Sequence, residues 1–328
     1  MKQLALIFLL LLSLSGLSQP EQQFFLLGDF ETVNGEVIQD CRVGFTTLGK
    51  LNEGKTNAIL WPTWFTGTSA QILDYGIPVM TLDTTGLFLI IVDALGNGVS
   101  SSPSNTDEFP DITIADMVRS QYRLTTEEFG IEKLYAVMGI SMGGMQTFEW
   151  LVRYPNMMEK AIPIVGTPKQ SFFDLLLWST EAKLIEAAEG PEELETAMKR
   201  VSEIQQLHLY TPSYLAKRYT PDSLEVVLSN EYQNLKHPYD YLSQLKAMMD
   251  HDIYRTSSKD PEELKGHIEA DVLNVVALQD HMVNPIAAME LSEKMGWPQV
   301  KLEGDCGHIA NGCESDKVLT ATKPFLKR

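Results

Sequence analysis

Short apolar runs alternate along the chain with longer amphipathic stretches. Four of the short runs, at 87–93, 133–139, 160–166 and 272–279, are near-continuous in Val, Ile, Leu and Ala, which is typical of strands covered by helices on both faces. The full set of predicted strands is 42–48, 58–62, 87–93, 133–139, 160–166, 272–279 and 299–303. Helical spacing predicts helices at 113–129, 142–153, 285–295 and 315–326. This alternation predicts an α/β fold with a mostly parallel, doubly wound sheet.

The alternation stops between residues 167 and 269. That region has amphipathic helical pattern, as at 175–188 and 191–207, and no convincing strand. A long helical segment between two core strands predicts an inserted lid. We therefore expect a discontinuous core, 19–166 and 270–328, with a helical lid at 167–269.

The first 18 residues have the pattern of a secretory signal peptide. Lys2 supplies one positive charge, an apolar run extends from Leu4 to Leu12, and small residues follow at Gly16 and Ser18. The run is short for a membrane span, and polar sequence follows from Gln19. A retained N-terminal anchor is the alternative. The pattern predicts export to the periplasm or medium, with no stable membrane insertion after cleavage.

Composition and charge narrow the function. With 328 residues, 44% hydrophobic and 21% charged, the chain is not a disordered or low-complexity polymer. Its 44 acidic and 26 basic residues give a net charge of −18, which repels nucleic-acid phosphates and anionic lipid head groups. We expect no nucleic-acid partner.

Cys306 and Cys313 lie in one Gly-rich segment, and Cys41 is distant in sequence. In an oxidising compartment the first two can close a small loop; three free or buried thiols are the alternative. No cysteine or histidine set has zinc-ligand spacing, and dinucleotide and phosphate-loop glycine motifs are absent from the sequence. We therefore expect no metal and no cofactor.

Residues 139–144 read Gly-Ile-Ser-Met-Gly-Gly between a buried strand and a helix. G-x-S-x-G in this context predicts a nucleophile elbow, a sharp turn that lifts the Ser141 hydroxyl above the sheet. Gly139 and Gly143 remove side chains that would collide with neighbouring backbone, and the helix start favours negative charge beside the serine. A structural glycine-rich turn is the alternative.

A serine nucleophile needs a base and an acid, in the chain order serine, acid, histidine. Asp280 follows strand 272–279 and His308 follows strand 299–303, so His308 is the predicted base and Asp280 the acid that holds its tautomer. Asp305 is a rival acid, only three residues before His308. The remaining histidines are expected to be surface or satisfied polar residues: His208, His237, His251, His267 and His281.

An oxyanion hole needs two backbone N–H donors. The first is Met142, directly after the nucleophile. The second is expected from segment 64–67, Trp-Phe-Thr-Gly, after strand 58–62. An aromatic packing loop is the alternative for that segment.

The run Gly-Ile-Ser-Met-Gly-Gly-Met-Gln at 139–146, with Phe-Glu-Trp at 148–150, resembles the elbow of homoserine O-acetyltransferases, a branch of the α/β-hydrolase superfamily. Further matching segments are 51–52, 57–60, 66–67, 109–110, 113–114, 116–119 and 247–252. The resemblance implies the α/β-hydrolase fold, Ser141, Asp280 and His308 as catalytic residues, and Phe65 and Met142 as oxyanion donors. It also implies an acyl-CoA donor if the family's transferase activity is retained.

Three positions depart from the family pattern. The family has aspartate directly after the catalytic histidine, where this chain has Ile309. It has an arginine in the first lid helix, where this chain has Ala182 and Lys183, and lysine does not reproduce a bidentate guanidinium clamp. The family's histidine before Thr-Gly is matched here by Thr63.

These departures favour water over an amino-acid acceptor. An acyl-enzyme can be resolved by either, and acceptor binding decides which. We expect an exported serine hydrolase acting on a small ester or thioester, since acetyl-CoA and homoserine are cytoplasmic. The alternatives are an O-acyltransferase using acyl-CoA and an alcohol acceptor, and a non-enzymatic binding module on the same scaffold.

Overall fold

A computed structural model describes residues 20–327. The predicted signal peptide, residues 1–18, lies outside this range, so the signal peptide and export stay predictions. Within residues 20–327, no helix combines the length and apolar character needed to cross a membrane.

Nine strands form one sheet, and all seven predicted strand regions are part of it. Strand order is β1-β2-β4-β3-β5-β6-β8-β9, with the short β7 beside β6. Pairs β1–β2 and β2–β4 are antiparallel, and every other pair is parallel, which confirms the mostly parallel sheet. The strands are β1 Gln23–Glu31, β2 Val37–Gly49, β3 Ala58–Pro62, β4 Phe88–Val92, β5 Leu134–Ile140, β6 Met158–Ile164, β7 Asp271–Val272, β8 Asn274–Ala277 and β9 Gln299–Leu302.

The antiparallel edge differs from the sequence prediction. Strand β1 was not predicted, and β2 begins five residues before the expected 42. The apolar run of β1 is limited to residues 24–27, before Gly28 and Asp29, and six of its nine residues are exposed. The predicted strand 272–279 is two short strands, β7 and β8, separated by Leu273. Edge pairing is decided by the neighbouring strand, which a local pattern does not record.

Helices pack on both faces of the sheet and fill the connection between β6 and β7. Thr113 and Ser171 begin α3 and α5 with capping boxes, closed by Asp116 and Asp174. The α-helices are α1 Ser69–Asp74, α2 Ile77–Thr81, α3 Ile114–Arg123, α4 Met142–Arg153, α5 Phe172–Glu186, α6 Pro191–Leu209, α7 Pro212–Arg218, α8 Leu224–Gln233, α9 Pro238–Asp250, α10 Ile253–Ser257, α11 Pro261–Leu264, α12 Ile286–Met295, α13 Ala310–Cys313 and α14 Ser315–Lys327.

One predicted helix needs correction, and two short helices were not predicted. The predicted helix 113–129 is α3 followed by a π-helical turn, Leu124–Glu128. Helices α1 and α2, after β3, were not predicted because they are only six and five residues long. Between β6 and β7, helices α5 to α11 account for most residues, and the described strand pairing there is a single bridge, Lys169 to Asp252.

Strand β3 shows how the sheet divides the core. All five of its residues are buried, and alternate side chains enter separate hydrophobic clusters. Ala58 and Leu60 pack in one cluster, and Ile59 and Trp61 pack in the other. The period of two along a strand places successive side chains on opposite faces. Because both faces are covered, this strand is apolar throughout.

Strands β3, β5, β8 and β9 all run in one direction, so their carboxyl ends lie at one edge of the sheet. The segments that follow them carry the predicted Phe65, Ser141, Asp280 and His308, respectively. In open α/β sheets this edge is where ligands bind.

Candidate active site

Ser141 lies on a strained turn between β5 and α4. Its φ of 58° and ψ of −119° place a non-glycine residue in a disfavoured region of backbone space, and its N–H donates to the Ile164 carbonyl at 2.9 Å. A Cβ on Gly143 would lie 2.5 Å from the Pro62 carbonyl oxygen, and one on Gly139 would lie 2.5 Å from the Gly143 backbone. The close approach of these backbones requires both glycines.

Ser141, His308 and Asp280 form one hydrogen-bonded chain. The Ser141 hydroxyl lies 2.8 Å from His308 Nε2, and His308 Nδ1 lies 2.6 Å from Asp280 Oδ2. All three residues are buried. The second carboxylate oxygen of Asp280 accepts the backbone N–H groups of Met282 and Val283 at 2.8 and 2.9 Å. These two bonds orient the carboxylate toward the imidazole.

The rival acid, Asp305, takes no part in the hydrogen bonds that join Ser141, His308 and Asp280. Its carboxylate contacts Lys217 Nζ of α7 at 2.5 Å and accepts from the Ser213 hydroxyl at 3.1 Å.

A disulfide joins Cys306 to Cys313 and encloses the segment that carries His308, which decides between the two predictions for these cysteines. Cys41 is a buried free thiol.

The segment predicted to supply the second oxyanion donor lies beside the serine. Phe65, Ser141 and His308 line the same cavity. Within residues 20–327, neither the Phe65 nor the Met142 backbone N–H has a hydrogen-bond acceptor. Two free donors near a nucleophile are what an oxyanion hole requires.

Two buried glutamines hold this segment on either side of Phe65. Gln146 Nε2 donates to the carbonyl oxygens of Thr63 and Met142 at 3.0 and 3.2 Å, which ties the segment to the elbow. Gln244 of α9 accepts the Thr66 N–H at 2.7 Å and donates to the Leu95 carbonyl at 2.9 Å. Thr66 has a φ of 57°, which is unfavourable for a β-branched residue, so the Gln244 bond stabilises a strained turn.

A buried acid supports the wall next to Phe65. The Tyr241 ring packs edge-on against Phe65, with centroids 4.6 Å apart, and its hydroxyl donates to Glu181 Oε2 at 2.9 Å. Glu181 also accepts from Gln205 Nε2 at 2.6 Å. Burial raises the pKa of Glu181 to about 7, partly offset by these two bonds. Through these two hydrogen bonds, Glu181 joins helix α5 to α6 and α9 at the cavity.

The lid also contacts the segment that carries the acid. Asp174, at the start of α5, accepts the Asn284 backbone N–H at 2.9 Å, four residues after Asp280. It closes the capping box of α5 with its other oxygen, and burial raises the pKa of its carboxyl. One buried carboxylate therefore joins the lid to the Asp280 segment.

Gln244→Leu tests the support of the oxyanion segment. The change leaves the Thr66 N–H without its acceptor, and we expect kcat to fall about 10- to 100-fold because the Phe65 donor is misplaced. KM should change little. Gln244→Glu keeps the acceptor and should recover part of the loss, while Gln233→Leu, an exposed glutamine of α8, should match the parent enzyme. An unchanged kcat in a folded Gln244→Leu protein would show that Thr66 is held by other contacts.

The three family departures have distinct structural contexts. Ile309 lines the cavity beside His308, where it offers an apolar surface. Lys183 is exposed, and Ala182 and Glu181 are the buried residues of that helical turn. Thr63 is fully buried, and its hydroxyl accepts the Ala94 N–H at 3.0 Å. None of these three positions presents a charged group to Ser141.

The cavity at Ser141 has a volume of about 710 Å³. Side chains from segment 64–66, α2, α6 and the lid segment 231–241 line it. Sequence reasoning identified Ser141, Asp280, His308, Phe65 and Met142 but not the supporting Gln244, Tyr241, Glu181 and Asp174. These four lie in the lid, and no local motif indicates a contact with the site; Asp174 belongs to a capping box, which predicts only a helix start. Gln146 was part of the recognised run, so its position was visible although its contacts were not.

Comparison with known proteins identifies the family. A family described as alpha/beta hydrolase fold matches residues 77–312. A probable esterase of Corynebacterium glutamicum is 42% identical over 172 residues, covering 50% of this chain and 49% of the relative. A homoserine O-acetyltransferase of Methanobrevibacter ruminantium is 38% identical over 174 residues, covering 46% and 35%.

Solved structures agree with the sequence matches. An acetylester hydrolase from Corynebacterium glutamicum superposes with a TM-score of 0.85 at 26% identity, covering 94% of this chain and 96% of the other. The sequence alignments span about half or less of these two curated relatives. The predicted resemblance to homoserine O-acetyltransferases and the predicted α/β-hydrolase fold are both confirmed.

Proposed function

Because the chain belongs to the alpha/beta hydrolase fold family, we propose that it hydrolyses a carboxylic ester or thioester through an acyl-enzyme on Ser141. The observation that carries the proposal is the hydrogen-bonded chain from the Ser141 hydroxyl through His308 to Asp280, at 2.8 and 2.6 Å. Ser141 lies on the elbow between β5 and α4, at the carboxyl edge of the sheet. Similarity to an esterase and an acetylester hydrolase is consistent with it.

The geometry supports acylation in one sequence of steps. His308 Nε2 takes the proton from the Ser141 hydroxyl as the oxygen attacks the ester carbonyl carbon. Asp280 keeps the proton on Nδ1 and stabilises the imidazolium. The carbonyl oxygen becomes an oxyanion, accepted by the N–H groups of Phe65 and Met142. Collapse of this intermediate expels the alcohol or thiol, which receives the proton from His308.

Deacylation repeats these steps with water. His308 accepts a proton from water, the resulting hydroxide attacks the acyl carbon, and the same N–H groups bind the second oxyanion. Breaking the bond to Ser141 releases the carboxylic acid, and the proton on His308 returns to the serine.

Acyl transfer to an alcohol is the second candidate, favoured by the similarity to homoserine O-acetyltransferases. The cavity disfavours a homoserine acceptor because Ile309 cannot bind an ammonium group and Lys183 is exposed. The buried charged residue of that helical turn is Glu181, whose carboxyl is occupied by Tyr241 and Gln205. An acceptor carrying a carboxylate finds no clamp on α5.

Product analysis separates the two candidates. We expect the protein to convert p-nitrophenyl acetate to free acetate at the same rate with and without L-homoserine, and to form no O-acetylhomoserine from acetyl-CoA and homoserine. Mass spectrometry of the products measures where the acetyl group goes. Formation of O-acetylhomoserine at the expense of acetate would overturn the hydrolase proposal in favour of the transferase.

A further inference from the structure

Resting on the proposed hydrolase activity, we propose that the cavity at Ser141 is a binding site for uncharged esters that carry an extended apolar group, larger than an acetyl or ethyl group. The inference concerns the non-reacting part of the substrate. It follows from the volume, the lining and the charge of the cavity.

The cavity has more space than a small ester can fill. Its volume of about 710 Å³ falls within the roughly 300–1,000 Å³ range of sites that enclose drug-sized ligands. A short ester bound at Ser141 would leave most of this space to water, against apolar walls. A longer group displaces that water and buries apolar surface, which strengthens binding.

Apolar side chains from two separate helices line this space. Helix α2 contributes Ile77 and Met80, and lid helix α6 contributes Met198, Val201 and Leu209. Methionine side chains adapt to irregular ligand shapes because they are unbranched and polarisable. An extended group bound at Ser141 can therefore bury apolar surface against both helices.

The charge of the lining favours an uncharged substrate. Apart from His308, the charged residues among the described lining are Glu231 and Lys236, five positions apart in one lid segment. Their charges are opposite, so these two side chains add no net charge to the lining. The net charge of −18 on the whole chain further repels anionic esters.

The entrance to the cavity is also apolar. The rings of Trp64 and Tyr75 stack with an interplanar angle of 2° and centroids 6.3 Å apart, and both line the cavity. Tyr75 is 61% exposed and Met80 is 36% exposed. Exposed apolar residues at the mouth of a site are typical of contact with an apolar ligand. Part of the lining of the cavity is therefore apolar surface that solvent reaches.

Two ester series test the inference. The acyl group is lengthened in p-nitrophenyl acetate, butyrate, hexanoate and octanoate, and the alcohol is lengthened in ethyl, butyl and hexyl acetate. One buried methylene contributes a factor of about four to an equilibrium constant, so we expect kcat/KM to rise at least tenfold from the shortest to the six-carbon member of one series. Succinate monoesters, which are anionic, should be poor substrates.

A variant pair in α2 locates the site. Met80→Trp fills the cavity from one wall, and we expect the ratio of hexanoate to acetate kcat/KM to fall severalfold. Val79→Trp places the same side chain on the neighbouring residue, which is 61% exposed and does not line the cavity, so that ratio should remain as in the parent. Thermal unfolding of both variants confirms that they are folded.

The outcomes distinguish this inference from the proposed function. If the parent hydrolyses acetate esters but gains nothing from longer groups in either series, the extended apolar site is wrong and the hydrolase proposal stands. If the protein prefers the succinate monoesters, the inference that the site binds uncharged esters is wrong. If no ester is hydrolysed above the rate of the Ser141→Ala protein, the proposed function itself fails.

Discussion

Ser141→Ala is expected to lower kcat for ester hydrolysis by about 10⁴- to 10⁶-fold, because no acyl-enzyme can form without the hydroxyl. The oxyanion donors and the cavity remain, so KM should change little and a small residual rate over water should persist. The parent protein should form one covalent adduct with a fluorophosphonate, on the peptide that contains Ser141. The alanine protein should form none.

The fold should tolerate this change. The backbone N–H of Ser141 donates to the Ile164 carbonyl, and the side chain contacts His308. The alanine change keeps the backbone bond and removes only the contact with His308. Ser120→Ala is the matched control: Ser120 is equally buried, and its hydroxyl donates to the Met117 carbonyl in α3. It should keep full activity and form the adduct. Activity that persists in Ser141→Ala would mean that another group is the nucleophile.

Asp280→Asn is expected to lower kcat by about 10⁴-fold at neutral pH. The carboxylate accepts two backbone N–H groups with Oδ1, and those bonds hold the oxygen of the new amide in that position. The amide nitrogen then faces His308 Nδ1 and donates to it, which moves the imidazole proton to Nε2. A protonated Nε2 cannot accept the Ser141 proton, so the base is lost.

Asp305→Asn is the control that separates the two candidate acids. Asp305 pairs with Lys217, and the side-chain contact with Lys217 lowers the pKa of its carboxyl. Removing its charge should change kcat by no more than about threefold, in line with the small contribution of exposed ion pairs. Steady-state kinetics on p-nitrophenyl acetate measures both variants. A large loss in Asp305→Asn with little loss in Asp280→Asn would reverse the assignment of the acid.

Local sequence was sufficient for the central sheet and for the reacting groups. Strands β3 and β4 are apolar throughout, and β5 and residues 161–164 of β6 are nearly so, because helices cover both faces; these runs are visible without any partner. Gly139 and Gly143 lie so close to neighbouring backbone that no side chain fits at either position. The spacing of these two glycines therefore predicted Ser141 as the nucleophile without any knowledge of distant residues. Chain order then indicated Asp280 and His308, since each follows a parallel strand.

The lid contacts and the sheet edge were decided by tertiary structure. Gln244 contacts Thr66, Tyr241 contacts Phe65 and Glu181 contacts Tyr241. The partners in these three contacts are 178, 176 and 60 positions apart in sequence. A single glutamine or glutamate in an amphipathic helix has no pattern that predicts such a partner. Strand β1 likewise depends on pairing with β2, because its apolar run is only four residues long and most of its side chains are exposed.

The sequence by itself therefore determined the mostly parallel sheet and predicted the elbow at Ser141 and the chain order serine, acid, histidine, because these depend on local periodicity, on a backbone contact that demands glycine and on the order of the strands. Only the tertiary structure chose Asp280 over Asp305, since the difference is which carboxylate reaches His308 and which one meets Lys217. It alone decided the disulfide between Cys306 and Cys313 and the size of the cavity. Distances between segments far apart in sequence set these features, and side-chain periodicity does not encode such distances.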